Sequence, residues 1–237
     1  MAYYDGIAKR WHETTEYKGG AFKEFVLNNI LLEKLSGINN RFILELGAGN
    51  GYFLPLVLRR FSGQVPSGVT VTDKSERLLE IAKRHFRIPD AEYQCLDVCK
   101  PFPFVNDNFD LIIASMVFNE VPAHCFRNAL KECHRVLKSD SLFLISVIHP
   151  DFITSLQKRE PLKPYKDGVL TMSGSGSLRI PVVIRTLENY RNSLREAGFQ
   201  YQETEGASSR EVLNIKAGLR NSGKAPIALV YTCTKSE

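Results

Sequence analysis

Three glycines at alternating positions, Gly47, Gly49 and Gly51, follow an apolar run carrying an acid near its end, Phe42-Ile-Leu-Glu45-Leu46. Glycine lacks the Cβ that would hold a ligand off the main chain, and it adopts the positive φ values of a sharp strand-to-helix turn. A nucleoside-bearing cofactor can therefore lie directly against this loop. A dinucleotide fingerprint runs G-x-G-x-x-G and seats a pyrophosphate on a helix N-terminus, so the G-x-G-x-G spacing here argues against NAD. A second acid, Asp73, closes the strand-like run Gly68-Val-Thr-Val-Thr-Asp73 and stands 22 residues past Gly51, the spacing of a ribose-binding carboxylate. Asp73 could instead cap the helical run Arg77–His85, but Ser75 can fill that role and leave Asp73 free. A third acid, Asp97, ends Ala91-Glu-Tyr-Gln-Cys-Leu-Asp97-Val98, or else simply opens the turn before Lys100-Pro-Phe-Pro103.

The segment Glu45-Leu-Gly-Ala-Gly-Asn-Gly51 resembles the first motif of class I S-adenosylmethionine-dependent methyltransferases. The Asp73 and Asp97 segments and Asn108–Val121 resemble the next three, in the right order. The resemblance implies S-adenosylmethionine as cofactor, held by Glu45, Gly47, Ala48, Gly49 and Gly51 in the loop and by Asp73 and Lys74 at the second strand. Leu96, Asp97 and Val98 would meet the adenine, and Ser115 would open the loop after the fourth strand. Residues 1–38, with Tyr4, Trp11, His12 and Tyr17, resemble the cap that small-molecule members fold over the cofactor. Tyr4 and Tyr17 are expected to shape the pocket or touch the methionine carboxylate.

Methyl transfer from a sulfonium is an in-line displacement, so alignment and exclusion of water dominate and proton transfer is secondary. A phenol, alcohol or protonated amine needs a base, for which three residues are candidates. His149 follows the fifth strand at the carboxyl edge and is expected to face the cavity; His12 in the cap is second, and Glu120 after the fourth strand is third. Arg185 stands where relatives often carry a His or Tyr just before it, a place taken here by Ile184. Arg185 would bind an acidic substrate group or cap the sheet edge.

The elements that must position these residues alternate between strand and helix, the pattern of a doubly wound sheet. Helices are expected at about 51–61, 77–85, 123–137 and 186–197. A buried fifth strand is expected at 141–148, and closing strands at about 199–204 and 227–232. The resemblance makes this an α/β fold with a doubly wound, mostly parallel seven-stranded Rossmann-like sheet, an N-terminal helical cap and an insertion after strand five. The whole chain 1–237 is read as one methyltransferase domain: cap 1–38, cofactor-binding core 39–148, substrate-lid insertion 149–185, and C-terminal helix and strands 186–237. Within the insertion the run Thr171–Ser177, flanked by prolines 161, 164 and 181, is flexible by composition, and an insertion here is where a substrate lid would lie, a disordered surface loop being the alternative.

Composition narrows the partners. With 237 residues and 43% apolar content, one domain can bury a full core. Five cysteines without a C-x-x-C pair read as reduced packing residues of a cytoplasmic protein, and no metal is expected. No run approaches a membrane span, and the N-terminus lacks a signal-peptide pattern. The net charge of +5 is spread among 26 acids, without the basic stripe of a nucleic-acid binder. The motifs of DNA amino-methylating enzymes, cytosine C5 enzymes, protein arginine methyltransferases and magnesium-dependent catechol enzymes are absent. A small organic acceptor, methylated at N, O or C in small-molecule biosynthesis, is the reading that remains, by a monomer or homodimer. An RNA or protein methyltransferase and a non-catalytic cofactor-binding scaffold are the alternatives.

Overall fold

The computed structural model describes residues 2–15, 20–35, 42–61, 66–158, 161–166, 169–173, 178–206 and 226–235. Seven strands form the main sheet: β1 (Phe42–Leu46), β2 (Gly68–Asp73), β3 (Glu92–Cys95), β4 (Phe109–Ser115), β5 (Leu137–Ile148), β9 (Phe199–Gly206) and β10 (Ala228–Lys235). Their spatial order is β3-β2-β1-β4-β5-β10-β9. β1 pairs in parallel with both β2 and β4, β4 pairs in parallel with β5, and β10 runs antiparallel between β5 and β9. The expected seven-stranded, mostly parallel sheet is present.

The central strands are apolar almost throughout because both of their faces are covered. Ile43 packs in a core with Leu27, Leu31, Phe53 and Leu54, while Leu44 and Leu46 pack on the opposite face with Phe126, Leu130 and Tyr190. Among the helices, α4 (Phe53–Leu58) is shorter than the expected 51–61, because Gly51 still holds a φ of +83° in the turn. Next come α5 (Glu76–His85), α6 (Ala123–Val136) and α8 (Leu187–Glu196). Ser75 caps α5, accepting from the Leu78 amide at 3.2 Å, and Thr186 caps α8 in a capping box.

Strand order reverses between β1 and β4, and the crevice beyond the carboxyl ends of those strands is where an open α/β sheet receives ligands. Two further pieces wall this crevice. The N-terminal piece holds a 3₁₀ turn at Tyr3–Gly6, α1 (Ala8–Thr14) and a helical run built of α2 (Gly20–Phe22), a π-helical turn at Lys23–Leu27 and α3 (Asn28–Lys34). It is tied to the second strand's loop: Ser75 Oγ donates to Asp5 Oδ1 at 2.7 Å, and Arg77 donates to the Asp5 carbonyl at 2.9 Å.

The insertion after β5 holds α7 (Pro150–Gln157) and an antiparallel sheet of β6 (Lys163–Lys166), β7 (Val169–Ser173) and β8 (Arg179–Val182) in the order β6-β7-β8. Over its described residues the insertion is therefore a helix and a small sheet. Pro164 and Pro181 sit on the two edge strands, where a missing N–H is tolerated, so prolines that read as loop markers belong to sheet edges.

The cysteines also depart from expectation. Cys99 and Cys125 form a disulfide, whereas Cys133 and Cys233 are buried free thiols and Cys95 is an exposed one. No helix among the described residues is long and apolar enough to cross a membrane.

Candidate active site

A cavity of about 910 Å³ opens at the switch point and is lined by the loops after the first four strands of the sheet, the N-terminal piece and the insertion. The glycine loop divides into packing and ligand-facing parts. A Cβ on Gly47 would meet Val117 Cγ2 at 2.4 Å, and one on Gly51 would meet Ala82 Cβ at 2.5 Å. A Cβ on Gly49 would have nothing within 4 Å, because this residue, at a φ of +60°, opens onto the cavity. The gap is a cradle that a ligand can enter.

Asp73 lies at the cavity wall. Its Oδ2 accepts from the Gly49 amide and its Oδ1 from the Ser75 amide, each at 2.8 Å. Burial raises its pKa against those two amide bonds and the nearby Lys23. Each oxygen still has a lone pair for a further donor. Asp97 also faces the cavity, where Oδ2 pairs with Lys74 Nζ at 2.8 Å and Oδ1 accepts from the Cys99 amide at 3.0 Å. Burial works to raise the Asp97 pKa, but the Lys74 and Cys99 hydrogen bonds outweigh it and hold the carboxyl below its usual range. Leu96 and Val98 flank Asp97, and Ser115 lines the wall across from them. The next residue, Met116, holds a φ of +66°, an uncommon conformation of the kind that clusters at functional sites.

Glu120 stands in the loop after β4 and lines the cavity, with Oε1 accepting from the Tyr4 hydroxyl at 2.8 Å. Burial pushes its pKa up to about 8, opposed by the Tyr4 bond and by Lys23. The Tyr4 hydroxyl is held well above its ordinary value by burial and by the Glu120 carboxylate, so it remains a donor. The loop itself is fastened from behind. The Arg185 guanidinium, 4% exposed and over the Phe126 ring at 4.7 Å, donates to the carbonyls of Phe118 and Val121, and the Val183 amide donates to the Asn119 carbonyl at 2.7 Å. Arg185 does not line the cavity and so does not bind an acidic substrate group there.

Two expected bases are placed elsewhere. Ile148, the last residue of β5, lines the cavity, whereas His149 just beyond the strand does not. His149 is 1% exposed, caps α7 by accepting from the Asp151 amide at 3.2 Å, and lies 3.5 Å from Glu205. His12 is buried off the cavity, with Nδ1 3.2 Å from Asn50 and its ring centroid 4.6 Å from that of His85, tilted by 40°. Burial, and then His85, lower its pKa. Glu45, Ala48 and Gly51 support the loop without lining the cavity, and Tyr17 lies outside the described residues.

The sequence reading missed Lys23. Carried by the π-helical turn, it lines the cavity 5.5 Å above the Tyr52 ring, and burial lowers its pKa against the pull of Glu120, Glu45 and Asp73. An isolated lysine in an amphipathic run carries no local signal of such a position. The cavity wall also carries the apolar and aromatic side chains of Trp11, Phe22, Phe152, Met172 and Ile180. Tyr4 packs edge-on against both Trp11 and Tyr3, with ring centroids 5.2 and 5.5 Å apart.

This sheet order and crevice define a Rossmann-like methyltransferase fold. A solved S-adenosylmethionine-dependent methyltransferase of Mesorhizobium loti superposes with a TM-score of 0.64 at 21% identity, covering 92% of this chain and 99% of that one. The protein PH0226 of Pyrococcus horikoshii gives a TM-score of 0.70 at 15% identity, covering 96% and 99%. Residues 43–140 match the methyltransferase-domain family. The malonyl-[acyl-carrier protein] O-methyltransferase 1 of Coxiella burnetii is 30% identical over 128 residues, which are 53% of this chain and 41% of that relative's length.

Proposed function

We propose that this chain methylates a small organic acceptor with S-adenosylmethionine, and that Glu120 is the base. The observation that carries the reading is Glu120 itself: a carboxyl held by Tyr4 and raised to about 8, in the wall of the same cavity onto which Gly49 opens.

The residues fit the cofactor. Asp73 would accept from the ribose hydroxyls with the lone pairs its amide bonds leave free, and Asp97 would accept from the adenine amine between Leu96 and Val98. Gly49 would leave the main chain bare beside the methionyl part, while Lys23 would meet its carboxylate. When bound, S-adenosylmethionine supplies an electrophilic methyl group on a sulfonium. Glu120 Oε2 takes the proton of an acceptor hydroxyl or ammonium as its lone pair becomes the nucleophile, and Tyr4 steadies the charge on Oε1. Trp11, Phe22, Phe152 and Met172 exclude water and fit an acceptor with an apolar body. The volume lies at the upper end of ordinary ligand sites, about 300–1,000 Å³, room for cofactor and acceptor together.

Calorimetry with S-adenosylmethionine, S-adenosylhomocysteine and NAD tests the cofactor half, with micromolar binding of the sulfur compounds and none of NAD expected. Transfer of radiolabelled methyl into a panel of amines, phenols and carboxylic acids tests the acceptor half. Label entering RNA or protein but no small acceptor would sink the small-molecule reading.

A further inference from the structure

The Cys99–Cys125 disulfide cross-links two parts of the cavity wall contributed by separate loops. Cys99 sits two residues after Asp97 and gives that carboxylate its amide hydrogen bond at 3.0 Å. Cys125 is the third residue of α6, a helix of 14 residues, so it lies within the first turn. Both sulfur-bearing residues line the cavity, together with Leu96, Asp97, Val98 and His124. The bridge therefore anchors the wall that would take the adenine to the helix that follows the Glu120 loop. It closes a span of 26 residues that includes β4 and that loop.

The same surroundings suit thiol chemistry. His124 Nε2 lies 3.4 Å from Cys125 Sγ, and a helix N-terminus beside an imidazole favours a thiolate. Cys125 is 3% exposed and Cys99 half-buried, and both contribute to the wall of the cavity, so a reductant can approach the bridge from inside it. Access to the bridge and occupancy of the cofactor site thereby compete for the same space.

We propose that Cys99–Cys125 is a reversible thiol–disulfide exchange site whose state sets the affinity of the cofactor pocket. The inference rests on the cofactor reading above. In the reducing direction a glutathione thiolate attacks one sulfur and the Cys99–Cys125 bond breaks. A second glutathione thiolate then resolves the mixed disulfide, leaving two protein thiols and one glutathione disulfide. Two electrons and two protons pass to the protein, and the reverse exchange restores the bridge. The bridged wall is preorganised around Asp97, whereas the open form must order residues 96–100 on binding, so the bridged form binds more tightly. Linkage makes the effect reciprocal: bound cofactor must stabilise the bridge by the same factor.

The experiment uses the whole chain equilibrated in glutathione buffers from fully oxidised to fully reduced, with alkylation and intact mass to count thiols. S-Adenosylhomocysteine binding is measured by calorimetry at each poise. The expected result is a bridge that opens and recloses, an affinity about tenfold weaker in the open form, and a midpoint about 30 mV more reducing when S-adenosylhomocysteine is saturating. Saturating ligand should also slow the opening. Cys125→Ser should bind as the open form does at every poise. Equal affinity in the two forms, or thiols that stay free in glutathione disulfide, would overturn the coupling while leaving the cofactor reading intact. Binding in neither form would overturn both, and because the native chain itself carries the comparison, poor folding of the variant does not blunt the test.

Discussion

Glu120 concentrates the proposed chemistry because two physical effects meet on it. Burial raises its pKa to about 8, while the Tyr4 hydrogen bond holds one oxygen and leaves the other for an acceptor. Glu120→Gln keeps the shape and the Tyr4 contact but cannot take a proton. It is expected to lower kcat/KM by about 10²–10⁴-fold, the ordinary yield of a general base, with S-adenosylhomocysteine affinity changed by less than threefold. Activity in the native chain should rise with pH and level off above about 8, as the carboxyl ionises. A flat profile and an active Gln variant would remove Glu120 from the mechanism. Asp73→Ala is the complementary case: S-adenosylhomocysteine binding should weaken by about 2–3 kcal/mol through lost charged hydrogen bonds, read by calorimetry. Because Asp73 also accepts from the Gly49 and Ser75 amides, a modest fall in Tm should accompany it.

At the scale of elements, the turn between β1 and α4 separates folding from binding within three glycines. Gly51→Ala places a Cβ 2.5 Å from Ala82 at a φ of +83°, so α5 must shift and the variant should lose stability by roughly 2 kcal/mol or more. Gly49→Ala has open space for its methyl group and should lose only the backbone preference, about 1 kcal/mol, while its cofactor affinity falls sharply. Paired denaturant melts and calorimetry check this, and equal stability losses in the two variants would refute the division. Such turns were legible in the sequence because strand, glycine spacing and acid lie within a dozen residues. His149 was misjudged because it leaves the end of β5 to cap α7, accepting from the Asp151 amide, which turns its ring away from the cavity that Ile148 lines. Lys23 and the Cys99–Cys125 pair depend on segments brought together from far along the chain, and local pattern carries no trace of that. The β6-β7-β8 sheet was hidden by prolines that its edge strands tolerate.

On the scale of the whole molecule, the site stores charge that folding must bury. Glu45, 2% exposed on β1, has its pKa raised by burial from 4.5 to about 8, only partly relieved by Lys23, and its Oε2 has no hydrogen-bond partner among the described residues. Between those two values the folded chain holds a proton on Glu45 that the unfolded chain has released, so this residue's contribution to stability is complete below about 4.5 and is lost as pH rises through about 8. Glu120 contributes in the same direction. His12 and His134, whose pKa values burial depresses, contribute oppositely, which makes the raw pH profile of the native chain a poor guide. The difference between Glu45→Gln and the native chain isolates the carboxyl. Glutamine does not ionise, so the variant should gain stability relative to the native chain as pH rises from about 4.5 to 8, by on the order of a few kcal/mol across the window. Urea melts of both proteins at several pH values measure it. A constant difference would mean that Glu45 stays ionised in its buried position, with Lys23 as a full counter-ion.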